Sequence, residues 1–87
     1  MRAVITVIGK DMVGILAYVS GACAKANVNI IEVTQSVLQD FFAMVMLVDI
    51  SALDCDLAEF RTGLENNELG MKIHVMHEDI FNSMHRI

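Results

Sequence analysis

Apolar and polar positions change rhythm several times along this chain, and each change predicts an element. Residues 2–8 are nearly all apolar or β-branched, with Ala3, Ile5 and Val7 on one side and Val4, Thr6 and Ile8 on the other. A strand over about 3–8, apolar on both faces and central in a sheet, is expected. From Met12 the apolar residues recur at helical spacing through Ile15, Leu16, Val19, Cys23 and Ala26, which predicts a helix over about 12–26. Its opposite stripe is Val13, Ala17, Ser20, Gly21 and Ala24, small enough for another helix to come close. Asn27-Val28-Asn29 ends the helix, since Asn tolerates the left-handed backbone of a helix stop.

Alternation resumes over about 30–37, with Ile31, Val33 and Val37 against Glu32, Thr34 and Ser36, and Gln35 as the exception on the apolar side. That is the pattern of an edge strand with one wet face. Leu38-Gln39-Asp40 is short enough for a hairpin connection. Residues 41–50 form the most apolar run, Phe42, Met44, Met46, Val48 and Ile50 on one face and Phe41, Ala43, Val45 and Leu47 on the other, again a central strand. Ser51 and Asp54 resemble a capping pair, and Leu53, Leu57, Phe60 and Leu64 trace a second helix ending near Gly70, with Asp56, Glu59, Arg61 and Glu65 on its wet side. Met71, Ile73 and Val75 alternate with Lys72 and His74 in a last edge strand. Ile80, Phe81, Met84 and Ile87 give the tail one apolar side, and a helix this short must dock to persist.

Strand, helix, strand, strand, helix, strand, with the first and third strands buried, predicts an α+β chain of the ferredoxin-like βαββαβ kind. Its four-stranded antiparallel sheet takes the order 4-1-3-2, with two helices on one face and a short C-terminal helix. Residues 1–87 read as one domain, a core over 1–78 and a helical tail over 79–87. The sheet face without helices is expected to be covered by a partner or by that tail.

Composition narrows the function. The formal net charge of −5 argues against a nucleic-acid or anionic-membrane surface, and no run approaches the roughly 20 apolar residues of a membrane span. The start of the chain lacks a cleavable signal pattern, so a cytoplasmic protein is expected. Mean hydropathy of +0.54 is high for 87 residues, more apolar surface than one small core needs, which points to self-association. Cys23 and Cys55 have no CxxC spacing and read as reduced thiols. His74 and His77 lie three apart on a strand, pointing to opposite faces, so no metal site is expected. Neither the serines nor the cysteines have a recognisable base and orienter, and no catalytic residues or cofactor are assigned.

The chemistry that remains sits at Gly9-Lys10-Asp11-Met12-Val13-Gly14-Ile15-Leu16, where a strand turns into a helix. Free N–H groups at the start of a helix carry the positive end of its dipole and suit a carboxylate or phosphate. Asp11 can cap the helix or hold a ligand ammonium. Gly14 costs roughly 1 kcal/mol of helix propensity, which close approach of a ligand or a second chain would explain. The plainer reading makes Asp11 only a cap and Gly14 only a packing glycine. A phosphate loop is excluded because Ile15 and Leu16 stand where Lys and Ser or Thr are required.

The stretch from Ala3 through Leu16, with its Asp11-x-x-Gly14 turn, followed by Ala26-Asn27-Val28-Asn29-Ile30, resembles the start of an ACT domain, and the resemblance spans nearly the whole chain. It is similar in particular to the stand-alone single-domain ACT proteins, whose members carry an ending like Glu78-Asp79-Ile80-Phe81-Asn82-Ser83-Met84-His85-Arg86-Ile87. More distant likenesses are the glycine cleavage system transcriptional repressor and the regulatory part of formyltetrahydrofolate deformylase. The resemblance implies a non-enzymatic regulatory module that binds a small molecule, an amino acid above all, at a contact between two domains. Carried over, the ligand residues are Lys10, Asp11, Met12, Val13, Gly14 and Ile15 with Asn27, Asn29 and Ile30. The carboxylate would take the N–H groups of residues 12–15, assisted by Lys10, the ammonium Asp11 or an Asn carbonyl, and the side chain Met12 and Ile30. A homodimer follows, with an unidentified protein as a further partner. The alternative is a dimerising interaction module with no ligand.

Overall fold

The computed structural model describes residues 1–84. Its centre is built from the two strands that are apolar on both faces, β1 (Arg2–Lys10) and β3 (Phe41–Asp49), paired antiparallel from Arg2 opposite Asp49 to Lys10 opposite Phe41. β2 (Asn29–Leu38) pairs with the outer side of β3, and β4 (Lys72–His77) with the outer side of β1. The order β2-β3-β1-β4 is the arrangement the alternation predicts.

Between β2 and β3 a two-residue turn, Gln39 and Asp40, closes the hairpin with Gln39 at φ 58. The register slips between Ile30 and Glu32, a bulge that leaves Ile31 outside the alternation and 47 % exposed. That corrects the expectation that Ile31 shares a face with Val33 and Val37, and β2 has no dry face, since Val33 and Val37 are exposed as well.

One core lies between the sheet and two helices. α1 (Ile15–Lys25) contributes Ile15, Val19 and Cys23, and α2 (Leu57–Glu65) contributes Phe60 and Leu64. They pack on Ile5, Val7, Met44, Met46, Val48 and Ile73, all nearly inaccessible. Both helices start later than the apolar rhythm suggests. Gly14, in the left-handed conformation at φ 91, is the N-cap of α1, so Met12 and Val13 precede the helix. Asp56 is the N-cap of α2, and Ser51 instead accepts a hydrogen bond from the amino terminus at 2.8 Å and donates its N–H to Asp49 at 2.9 Å. α2 stops at Glu65, short of Gly70. Arg61 is not on its wet side: its Nε donates to the carbonyl of Val75 at 3.1 Å and ties α2 to β4.

α3 (Glu78–Met84) leaves β4 without a connecting residue and folds over β1 and β4 on the face opposite α1 and α2. An ion pair of 2.6 Å between Arg2 Nε and Glu78 pins its first residue. Phe81 turns toward the sheet, and Val4 beneath is buried, whereas Ile80 is exposed despite its place in the predicted apolar side. The side chain of Met84 and the whole of Ile87 lie outside the described residues. α3 thus covers part of the open face, and Ile8, Phe41 and Val45 are exposed.

Candidate functional site

Strand pairing delivers the β1–α1 loop to one end of the sheet. Lys10 closes β1 opposite Phe41, and the next amide, Asp11 N–H, donates to the carbonyl of Asp40 at 2.7 Å. The loop is therefore clipped to the β2–β3 turn. Met12, Val13 and Gly14 are exposed, Val13 almost completely, at 99 %. Gly14 is required by its backbone and not by crowding, because a Cβ there would meet nothing within 4 Å. Open space overturns the reading of Gly14 as a packing glycine, and its backbone makes it a conformational glycine before the helix.

The first helical bond of α1 runs from Tyr18 N–H to the carbonyl of Gly14 at 2.9 Å. The amides of Ile15, Leu16 and Ala17 thus have no acceptor within the helix. Neither a side-chain cap nor an acidic residue in the first turn offsets the positive end of the dipole, so Asp11 is not the cap. The helix amides available to an anion lie a few residues later than residues 12–15. Ile15 itself is 3 % exposed, so it can offer only its backbone N–H.

Beside the loop is a cavity of about 340 Å³ lined by Lys10, Asp11, Met12, Leu69 and Gly70. Its mouth joins one cation, one carboxylate, a thioether and a glycine at φ 72. Leu69 and Gly70 come from the α2–β4 connection and are not in the sequence-derived set. They arrive because β4 pairs with β1 so that Ile8 faces Lys72, which sets the residues before β4 alongside those after β1.

The remaining candidates are elsewhere. Asn27, at φ 60, ends α1 and donates its side-chain N–H to the carbonyl of Ala52 at 3.0 Å. Asn29 opens β2 opposite Asp49, and Ile30, half-buried, follows opposite Val48. Asp49 pairs with Arg2, so these residues stand at the far end of β1 from Lys10, about 25 Å away at the usual rise per strand residue. One copy of the chain does not bring the nine candidates together.

Burial accounts for both cysteines. Cys23 is inaccessible, and burial pushes its thiol up to about 11. Desolvation and the carboxylates of Glu59, Asp54 and Asp56 raise that of Cys55. Among the described residues no three His, Cys, Asp or Glu side chains are grouped to hold a metal ion, and no helix is long and apolar enough to cross a membrane.

Comparison with known proteins places the geometry in context. The family model for the ACT domain matches residues 2–76. The UPF0237 protein of Listeria innocua is 47 % identical over 89 residues that cover the whole of both chains. The solved ACT domain protein from Streptococcus pneumoniae is 38 % identical over 93 % of each chain, with a TM-score of 0.79. A putative glycine cleavage system transcriptional repressor, 22 % identical with a TM-score of 0.66, covers 85 % of this chain with 43 % of its own and shares the fold.

Proposed function

The chain belongs to the ACT domain family, and we propose that it is a non-enzymatic regulatory module that binds an amino acid between two copies of itself. The observation that carries this reading is the division of the candidate residues between the two ends of the sheet. Lys10 to Ala17 form one half of a site and Asn27 to Ile30 the other. A two-fold axis that pairs β2 antiparallel with β2 of a second copy joins the halves.

Such pairing would turn the four-stranded sheet into one of eight. It sets the start of one β2, with Asn29 and Ile30, beside the end of the other, where Leu38 leads to the turn that holds Asp11. β2 suits this role. It is a ten-residue edge strand with a single charge, Glu32, and without the proline or lysine that commonly guards an edge. Ile31, Val33 and Val37 are exposed along it, and Ala17, Gly21 and Ala24 of α1 are exposed as well.

In this assembly the ligand carboxylate takes the amides of residues 15–17 with Lys10 at its side. Asp11 and an Asn side-chain oxygen of the second copy take the ammonium, and the ligand side chain rests between Met12 and Ile30 of the second copy. Because binding bridges two copies, the ligand stabilises one assembly over others, which is what regulation by linkage requires. The unguarded β2 edge equally favours the second reading, a pairing module with no ligand.

A thermal-shift screen against the amino acids, run with light scattering, separates the two. Ligand at ten times its Kd adds about 1.4 kcal/mol, a rise of roughly 6–11 °C for a chain this size. A rise for one amino acid, lost in Asp11→Ala while the dimer persists, supports the sensor. A dimer whose melting no amino acid shifts leaves the pairing module.

A further inference from the structure

Between α3 and the open face of the sheet lies a second cavity, of about 350 Å³. Its walls are Thr6 and Ile8 of β1, Val45 of β3, His74 and Met76 of β4 and Phe81 of α3. This is the lower part of the range of small-molecule sites, roughly 300–1,000 Å³. It is on the opposite side of the sheet from α1 and owes nothing to the loop after β1.

The walls are apolar except for two side chains that stand together. Thr6 and His74 are direct partners across β1 and β4, so their Cβ atoms are about 5 Å apart. Among the described residues neither side chain makes a hydrogen bond. An imidazole and a hydroxyl side by side in an apolar cavity are a ready head-group site.

Charge around the cavity selects the sign of that head group. Lys72 lies two residues before His74 on the same face, about 7 Å along the strand, and is the cross-strand partner of Ile8. The acidic groups of this face are distant or engaged. Glu78 pairs with Arg2 and Asp49 holds Ser51 at the other end of β1, and Glu32 stands on β2 beyond β3. Asp79 does not line the cavity: its N–H donates to His77 Nδ1 at 3.2 Å and its carboxylate is exposed. In a chain of net charge −5, Lys72 sets a cation beside this cavity and no carboxylate lines it.

We propose that this cavity binds a small apolar monocarboxylic acid, its carboxylate at His74, Thr6 and Lys72 and its hydrocarbon body between Ile8, Val45, Met76 and Phe81. A zwitterion is disfavoured, because the cavity wall supplies no carboxylate for an ammonium. α3 is the responsive part. It has seven residues, too few to hold its shape alone, and a ligand beneath Phe81 adds to what the Arg2–Glu78 pair supplies.

The test is methyl-labelled NMR of the full chain titrated with phenylacetate, with phenylacetamide as the uncharged match. Phenylacetate should shift the methyls of Ile8, Val45 and Met76 and bind about tenfold more tightly than the amide. Lys72→Gln and His74→Gln, both at exposed positions, should each weaken it by about tenfold with folding unchanged. The proposal is overturned if neither phenylacetate nor 4-methyl-2-oxopentanoate moves those methyls at millimolar concentration, or if acid and amide bind alike. It is also overturned if the methyls shift with protein concentration alone, which would make a second copy the occupant. Asp11→Ala leaves this face intact, so the amino-acid site and this one fail separately.

Discussion

The Sδ of Met71 lies 2.6 Å from the point where a Cβ on Gly9 would stand. Gly9 is the last β1 residue directed at the helical layer, and Met71, 5 % exposed, fills the space its missing side chain leaves. Only the flexible thioether is close, since the Cα of Met71 is an ordinary 3.5 Å away. Gly9→Ala should therefore be absorbed by a swing of Met71 at a loss of about 1 kcal/mol or less, and Gly9→Val should lose roughly 1–3 kcal/mol by overpacking. Urea midpoints rank the two. Met71 adjoins Gly70 and Leu69, so the valine variant should also deform the cavity beside Asp11.

Two other glycines predict opposite outcomes for the same substitution. Gly14 sits at φ 91 with open space around it, so Gly14→Ala should lose about 1–2 kcal/mol from the left-handed backbone alone. Gly21 lies inside α1, also in open space, and Gly21→Ala should raise the stability of a single copy by about 0.5–1 kcal/mol. If α1 packs on its counterpart in a dimer, the same methyl should weaken association. Dilution followed by light scattering reads that second effect.

What the sequence made legible follows from what alternation encodes. Apolar residues on both faces of β1 and β3, and on one face of β4, are a direct statement of which strands have two neighbours, and the sheet order rests on that. Helix starts were less legible because Met12 keeps the helical rhythm although Gly14 breaks the helix behind it, and because Ser51 looks like a cap but is used by the amino terminus and Asp49. The loop half of the proposed site rests on Lys10, Asp11 and Gly14, which the sequence singles out. Leu69 and Gly70 were not, since only β1–β4 pairing brings them there. Nor does apolar spacing distinguish Met12 and Leu16, both exposed in one copy, from the core residues Ile15 and Val19.

Cys23 makes the alkaline limb of stability diagnostic. Its thiol sits at about 11 in the folded chain against 9.0 for an ordinary cysteine, because burial disfavours the thiolate. Both states keep the proton below pH 9, so the contribution is fully present there. Above it the unfolded chain releases its proton first, and stability falls until about pH 11, by an amount on the order of 2 kcal/mol. The fall in urea midpoint over this window should be smaller in Cys23→Ala. With a disulfide reagent at neutral pH, Cys55 should react slowly in the folded chain and Cys23 only after unfolding.

Asp49 governs the acid limb. The hydroxyl and N–H of Ser51 hold its carboxyl below the usual carboxylate range, with the amino terminus and Arg2 adding to the effect. A lowered folded value means that the contribution is present above pH ~4 and is lost as pH falls through that lower value. Asp49→Asn should lower the urea midpoint at pH 7 and leave a shallower decline between pH 4 and pH 2. An unchanged acid slope would show that the Asp49–Ser51 contact contributes nothing to stability in solution.

The division of the amino-acid site between two copies is the prediction with the sharpest outcome. Each dimer would have two sites, each with Asp11 from one copy and Asn29 from the other. Asp11→Ala homodimers lack the carboxylate in both sites, and Asn29→Ala homodimers lack the amide in both, so neither should bind. Mixing the two and allowing exchange gives heterodimers in which one site has lost both residues and the other has Asp11 from the Asn29→Ala copy and Asn29 from the Asp11→Ala copy. That second site is intact. Titration calorimetry on the purified heterodimer should therefore recover wild-type affinity at half the wild-type number of sites. A site contained within one copy could not be restored this way, because each copy of the mixture would still carry its own lesion. The double variant paired with wild type supplies the control. Either arrangement of shared sites leaves one residue missing from each, so that heterodimer should not bind, whereas a self-contained site would survive in its wild-type half.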